Sequence, residues 1–188
     1  MLFAASSGAA QQTAPLIGPR VGAGFVVNAP QMFFGANAFA LSSLWGGLGI
    51  YVDAKFERES VKDEAGFIMD MTVQEADQTG DRFQRDDEVW QSFNLALIRP
   101  ITPELMLYLG AGMAERESFS QYYDTTRQRG ASGYYWVTDE ANSGNKVNVM
   151  GGGMFRIGSD VFLQFGLESA APGATVGALI SIPLRGGL

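Results

Sequence analysis

VFLQFGLESAAPGATVGALISIPL, residues 161–184, alternates twice with a period of two. Val161, Leu163, Phe165 and Leu167 fall on one side, and Phe162, Gln164, Gly166 and Glu168 on the other. After the turn signal AAPG the pattern resumes, with Val176, Ala178, Ile180 and Ile182 opposite Thr175, Gly177, Leu179 and Ser181. Successive side chains of a strand point to opposite faces, so the stretch predicts two strands joined by a tight turn. Which of the two faces meets water decides the class of protein.

The same pattern runs back through the chain. Strand-like segments occupy 20–27, 31–41, 46–57, 89–98, 105–116 and 146–157, making eight with the hairpin above. The clearest is GGLGIYVDAKFE, where Leu48, Ile50, Val52, Ala54 and Phe56 are apolar while Tyr51, Asp53, Lys55 and Glu57 are not. In 89–98, Phe93, Leu95 and Leu97 oppose Ser92, Asn94 and Ala96, and in 105–116, Leu105, Leu107, Leu109, Ala111 and Met113 oppose Tyr108, Gly110, Gly112, Ala114 and Arg116. The connections 42–45, 100–103 and 158–160 are short and share one end, while the long segments 58–88 and 117–144 share the other. Even strand number, short turns at one end and long loops at the other predict an all-β, closed, antiparallel up-and-down barrel over 20–184.

Composition chooses between a membrane barrel and a soluble one. At 188 residues the chain suits one domain, and no apolar run approaches the roughly 18 residues of a membrane helix, so a crossing would be made by strands. The apolar face is almost uniformly Val, Leu, Ile, Phe and Met. The other carries Gly, Ala, Ser, Asn and charges of both signs, yet the whole chain has only three lysines, too few for a solvated barrel exterior. Small residues and paired charges suit the crowded interior of an eight-stranded barrel. The oily face is therefore expected to look at lipid, with Leu48, Ile50, Val52, Phe93, Leu95, Leu97, Leu107, Leu109, Leu163, Phe165 and Ile180 among its residues.

With this pattern the chain resembles the small eight-stranded outer-membrane barrels of Gram-negative bacteria, the group typified by the membrane domain of OmpA and by OmpX. The resemblance covers roughly residues 20–184 and rests on periodicity and loop asymmetry. It implies a monomer in the outer membrane, in contact with its lipid, with long loops facing outward. The chain departs from that group at ISIPLRGGL, where many members carry a terminal aromatic residue in the last strand. Pro183 has no N–H to give a ladder, so pairing is expected to stop about there. MLFAASSGAA, 1–10, reads as the remnant of a signal peptide, and 11–19 as a tail.

There is no cysteine and no histidine, which removes thiol and imidazole chemistry and the common zinc ligand sets. A net charge of -7 argues against nucleic acid. No catalytic residue, cofactor site or metal site is expected. The lipid A palmitoyltransferase and the omptin-type protease resemble this chain in architecture, but both use histidine. The leading expectation is a non-enzymatic structural or surface-interaction protein; the alternatives are a soluble lipocalin-like barrel around an apolar ligand and a small outer-membrane pore.

Three further features carry expectations. Asp53, Lys55, Glu57, Arg116, Lys146 and Glu168 all fall on the inward face near the long-loop end, three acids and three bases, and read as a charge cluster that plugs the lumen, with Arg116 and Lys146 neutralising Glu168 and Asp53. Segment 57–88 carries eleven acids against four bases and reads as a solvated acidic loop, although alternation at Phe67, Met69, Met71 and Val73 admits a strand extending above the membrane or an added pair making ten strands. Segment 117–144 holds Tyr122, Tyr123, Tyr134, Tyr135 and Trp136, expected to form an interfacial girdle or to pack within the loop. Glycine pairs such as Gly110 and Gly112 lie inside strands and read as close packing in the lumen, and Gly151 and Gly153, outward by parity, suggest a bend or a close strand approach.

Overall fold

The computed structural model describes residues 17–29, 33–42, 46–57, 68–129, 132–170 and 173–184. The signal-peptide remnant expected at 1–10, most of the tail and Phe67 lie outside them. The elements are β1 (Arg20–Ala29), β2 (Phe33–Leu41), β3 (Gly49–Phe56), β4 (Ile68–Met69), α1 (Val73–Gln78), β5 (Arg82–Pro100), β6 (Leu105–Tyr123), β7 (Tyr134–Thr138), β8 (Gly144–Ile157), β9 (Val161–Glu168) and β10 (Ala174–Pro183).

Eight of these strands close on themselves. β1, β2, β3, β5, β6, β8, β9 and β10 pair in that order, all antiparallel, and β10 returns to β1 from Ala29↔Ala174 to Arg20↔Pro183. Closure gives every barrel strand two partners, which an isolated sheet of this apolar character lacks. Pro183 is the last paired residue of β10, as its missing N–H dictates. The turn at 101–104 is held by Thr102, whose hydroxyl accepts from the N–H groups of Glu104 and Leu105 at 3.2 and 3.1 Å.

The ten-stranded alternative is corrected by β4 and β7, which pair outside the barrel. β5 and β6 run well beyond it, and the β5 stretch Arg82–Val89 pairs with Glu117–Tyr123 of β6. β7 adds to this projecting ladder from Phe119↔Thr138 to Tyr123↔Tyr134, and β4 pairs parallel to β7. The segment expected as a solvated acidic loop thus contains β4, α1 and the start of β5, with both strands paired to partners elsewhere in the chain. α1 starts in a capping box: the Thr72 hydroxyl accepts from Glu75 N–H at 3.2 Å, and Thr72 N–H donates to the Glu75 carboxylate at 2.8 Å. Among the described residues no helix is long and apolar enough to cross a membrane, which says nothing of strands.

Two apolar layers and one polar layer fill the barrel. The floor, at the short-turn end, is Ile17, Phe39, Leu41, Ile98, Met106, Met154, Phe162 and Leu179, all buried. Ile17, expected in a tail, is part of it. Near the long-loop end Phe33, Trp90 and Ala114 form a smaller apolar layer. The register across Gly151–Gly153 is continuous on both sides, with no bulge; a Cβ on Gly153 would sit 2.6 Å from the Phe165 ring, which covers this spot from the neighbouring strand.

Candidate functional site

One register row explains the polar layer. Asn37, Asp53, Asn94, Gly112 and Asn148 are successive partners across β2, β3, β5, β6 and β8, so the side chains of the four other than Gly112 rise into the lumen along one row. The Asp53 carboxylate accepts from Asn94 Nδ2 at 2.8 Å, and Asn94 Oδ1 accepts from Asn148 Nδ2 at 3.0 Å. Asn148 Nδ2 also donates to Glu168 at 2.8 Å. Lys55 Nζ closes the ring, pairing with Asp53 at 2.8 Å and with Glu168, all three side chains wholly buried. Thr175 Oγ1 donates at 3.0 Å to the same Glu168 oxygen that Lys55 meets, and Asn148 takes the other.

Below this ring two tyrosines stack, Tyr51 on Tyr108, with centroids 4.7 Å apart. Tyr51 donates to Asp53 at 2.8 Å and accepts from Gln164 Nε2 at 2.7 Å; Gln164 also donates to the Tyr108 oxygen at 3.1 Å, and its own carbonyl accepts from Asn37 Nδ2. Room for the rings comes from glycine. A Cβ on Gly166 would lie 2.2 Å from the Tyr108 oxygen, and one on Gly152 2.5 Å from it. Each carboxylate is met by three donors, which is what makes its burial tolerable.

The expected six-residue cluster therefore divides. Asp53, Lys55 and Glu168 come together as the buried core. Arg116 and Lys146 do not reach them, a correction with a physical reason: both lie nearer the barrel mouth, where Arg116 pairs with Glu88 at 2.9 Å and stands 5.8 Å over the Trp90 ring, and Lys146 is exposed with its ammonium 6.0 Å from the same ring. Glu57 stays at the rim, where its carboxylate accepts from Trp90 N–H at 2.8 Å. The core holds two carboxylates to one ammonium. The amides and tyrosines that complete it escape a search for charges, although their inward parity and shared register mark them.

Of the outward set, Ile50, Phe93, Leu95, Leu97, Leu107, Leu109, Leu163, Phe165 and Ile180 are exposed, reaching 69% at Ile180, while Val52 and Leu48 are half-buried. Leu48 precedes β3 rather than belonging to it. Gln164, between Leu163 and Phe165, is 3% exposed. The two faces are thus segregated residue by residue.

Above the mouth, the loop aromatics form a core of their own. Tyr122 and Tyr135 stack 5.7 Å apart and are buried with Ala76 of α1 and Val137. Tyr122 donates to Asp77 at 2.7 Å and Tyr135 to Asp81 at 2.8 Å, so acids expected in a solvated loop serve as acceptors. Burial first, then the adjacent carboxylates, push both phenols above their ordinary value. Trp136 is buried with Phe119 under the Arg85 guanidinium, 5.3 Å away, and Tyr123 contacts the exposed Tyr134 at 4.8 Å. The aromatics therefore pack within the projecting sheet. Asp124 closes it: its carboxylate accepts from the N–H groups of Thr126, Gln128 and Arg129 at 2.7, 2.7 and 3.0 Å and from the Thr126 hydroxyl at 2.5 Å, which, that hydroxyl foremost, hold its pKa down to about 2.

Among the described residues no group of three or more Asp and Glu is placed to hold a metal ion. No family model matches the chain, and no curated protein does. Among solved structures it is similar to Ail, the attachment invasion locus protein of Yersinia pestis, with a TM-score of 0.46 and 12% identity over 88% of this chain and 96% of that one. A second structure of Ail, in complex with the heparin analogue sucrose octasulfate, aligns over the same shares with a TM-score of 0.44 and 11% identity.

Proposed function

We propose that the protein is a bacterial outer-membrane β-barrel with a non-enzymatic structural or surface-interaction role. The observation that carries this reading is the segregation of the two faces. Twenty or more large apolar side chains, Phe25, Phe93, Leu109, Val147, Leu167 and Ile180 among them, stand exposed on the outside, while Lys55, Asp53 and Asn94 are sealed within. In water that arrangement leaves an apolar surface far larger than a soluble monomer carries; in a bilayer the same surface is solvated by acyl chains.

The interior supports this reading over its alternatives. A soluble carrier keeps an apolar cavity for its ligand, whereas here stacked tyrosines, a hydrogen-bonded ring and an apolar floor occupy the inside. A pore needs a continuous polar path, and the same floor of Met106, Met154, Ile98 and Leu41 interrupts it. The role then falls to the projecting sheet of β5, β6 and β7 with α1. Its acids, Asp70, Glu75, Asp77, Asp81, Asp86, Asp87 and Glu88, outnumber Arg82, Arg85, Arg116 and Arg129 even though Arg116 pairs with Glu88 and Arg129 with Asp81, so a cationic partner suits it better than a sulfated polyanion of the kind bound to Ail.

Fractionation tests the reading. The protein should sediment with outer membranes, and in detergent the unboiled chain should migrate as a compact species distinct from the boiled one. Full solubility in plain buffer with identical migration before and after boiling would overturn it.

A further inference from the structure

The exposed apolar face has an upper boundary, and there the surface is stepped. β3 ends at Phe56 while β5 and β6 continue upward, which leaves a groove on the outside of the sheet. Its lower part, about 210 Å³, runs over Phe56, Phe93 and Met113, each more than half exposed. Its upper part, about 320 Å³, is bordered by Glu57, Glu115 and Glu117. Phe56, Gln91 and Glu115 line both parts, so the two are continuous, and among the described residues no Lys or Arg lines either.

Position and charge together name the occupant. The groove opens onto the apolar belt, so, given the membrane reading above on which this step rests, a lipid is always beside it. Glu115 and Glu117 are two apart on β6 and share a face, roughly 7 Å from each other along the strand. Gln91 Nε2 already donates to one Glu115 oxygen, so a cation reaching both side chains would share that carboxylate with Gln91. A primary ammonium offers three N–H donors to such carboxylates; a quaternary one offers none, and an anionic head group is repelled. At the other end of the belt the outward position on β5 is Arg99, so the acidic border belongs to the long-loop side alone.

We propose that this groove docks a membrane lipid whose head group ends in a primary ammonium, with an acyl chain against Phe56, Phe93 and Met113 and the ammonium between Glu115 and Glu117.

Trace spin-labelled lipids in phosphatidylcholine vesicles holding the folded full chain test this without altering the bulk bilayer. Labelled phosphatidylethanolamine should be immobilised about threefold more strongly than labelled phosphatidylcholine, the size of a partly exposed ion pair, and labelled phosphatidylglycerol less than either. The double variant Glu115→Gln with Glu117→Gln should lose the preference, while Glu140→Gln, outside the groove, should keep it. Equal immobilisation of the two zwitterionic lipids, a preference for phosphatidylglycerol, or a preference that survives in the double variant overturns the proposal. The heat-dependent gel shift, read on the same vesicles, separates the two failures: a chain that does not insert at all refutes the membrane reading, whereas a folded chain without head-group preference refutes only the groove.

Discussion

Lys55 and Glu168 form an ion pair between β3 and β9 in which neither side chain is exposed, and Asp53 shares the same ammonium at 2.8 Å. One cation thus serves two buried anions. The consequence is an asymmetry between the partners. Removing Lys55 leaves two uncompensated carboxylates, whereas removing one acid leaves a neutral pair.

Lys55→Met should accordingly destabilise the barrel by about 3 to 5 kcal/mol, the usual cost of breaking a buried pair from one side. Glu168→Gln keeps the shape and an acceptor for Lys55 and should cost only about 1 kcal/mol, the scale of a lost hydrogen bond. Urea midpoints in detergent or vesicles compare the two. Equal losses would show that the lumen is wet enough to screen the extra charge.

The barrel was legible in the sequence because its signal is local. Period-two alternation at Ile50–Phe56 or Val161–Leu167 follows from the pleat alone, and connection length fixes which ends are shared. What lay above the mouth was less legible. Arg82–Val89 is a strand only because Glu117–Tyr123 lies beside it, and no alternation marks a sequence such as RFQRDDEV. The lumen cluster was legible in part for a similar reason. Parity told which charges point inward, but the height of each depends on register: Asp53 is level with Asn94 and Asn148, while Arg116 stands level with Trp90, nearer the rim.

The glycines that admit the tyrosine pair yield a second test. Gly166→Ala should drive a methyl against the Tyr108 oxygen and cost about 1 to 3 kcal/mol, as overpacking does. Tyr108→Phe removes that oxygen, along with its bonds to Gln164 and to the Phe165 carbonyl. In the double variant the worst clash is gone, leaving tight contacts of 3.0 Å to the Gly151 carbonyl and 3.2 Å to the ring, so the two losses should sum to more than the measured one. Simple additivity would mean that Gly166 matters only through its backbone freedom.

Asp124 makes the projecting sheet sensitive to acid. Its folded pKa of about 2 lies below the ordinary carboxylate value near 4, so the unfolded loop binds the proton first. The stability it supplies is present above about pH 4 and is lost as pH falls through 2. Amide resonances of Thr126, Gln128 and Arg129 should hold their positions down to about pH 3 and shift together near pH 2. Asp124→Asn should shift them at neutral pH. A midpoint near 4 would mean that the carboxylate is not clamped.

Leu163 and Gln164 decide which side of the barrel meets lipid. Leu163 is 45% exposed and Phe165 50%, while Gln164 between them is 3% exposed and hydrogen-bonded to both tyrosines. Leu163→Arg should impair folding into bilayers by about 2 to 4 kcal/mol, the cost of arginine on the lipid face of a barrel near the midplane. A destabilised variant alone leaves the cause open, since arginine also harms an interior site. Single-cysteine labels resolve it, because the natural chain has no cysteine to compete. A fluorophore at 163 or 165 should be quenched by a lipid-soluble quencher and spared by an aqueous one. Alternation must then appear along the rest of β9, with 161 and 167 quenched from the lipid phase and 162 and 166 silent. If quenching from the lipid phase reaches neither 163 nor 165 in a chain that still shows the heat-dependent gel shift, the exposed apolar belt is not a lipid-facing surface and the outer-membrane assignment fails.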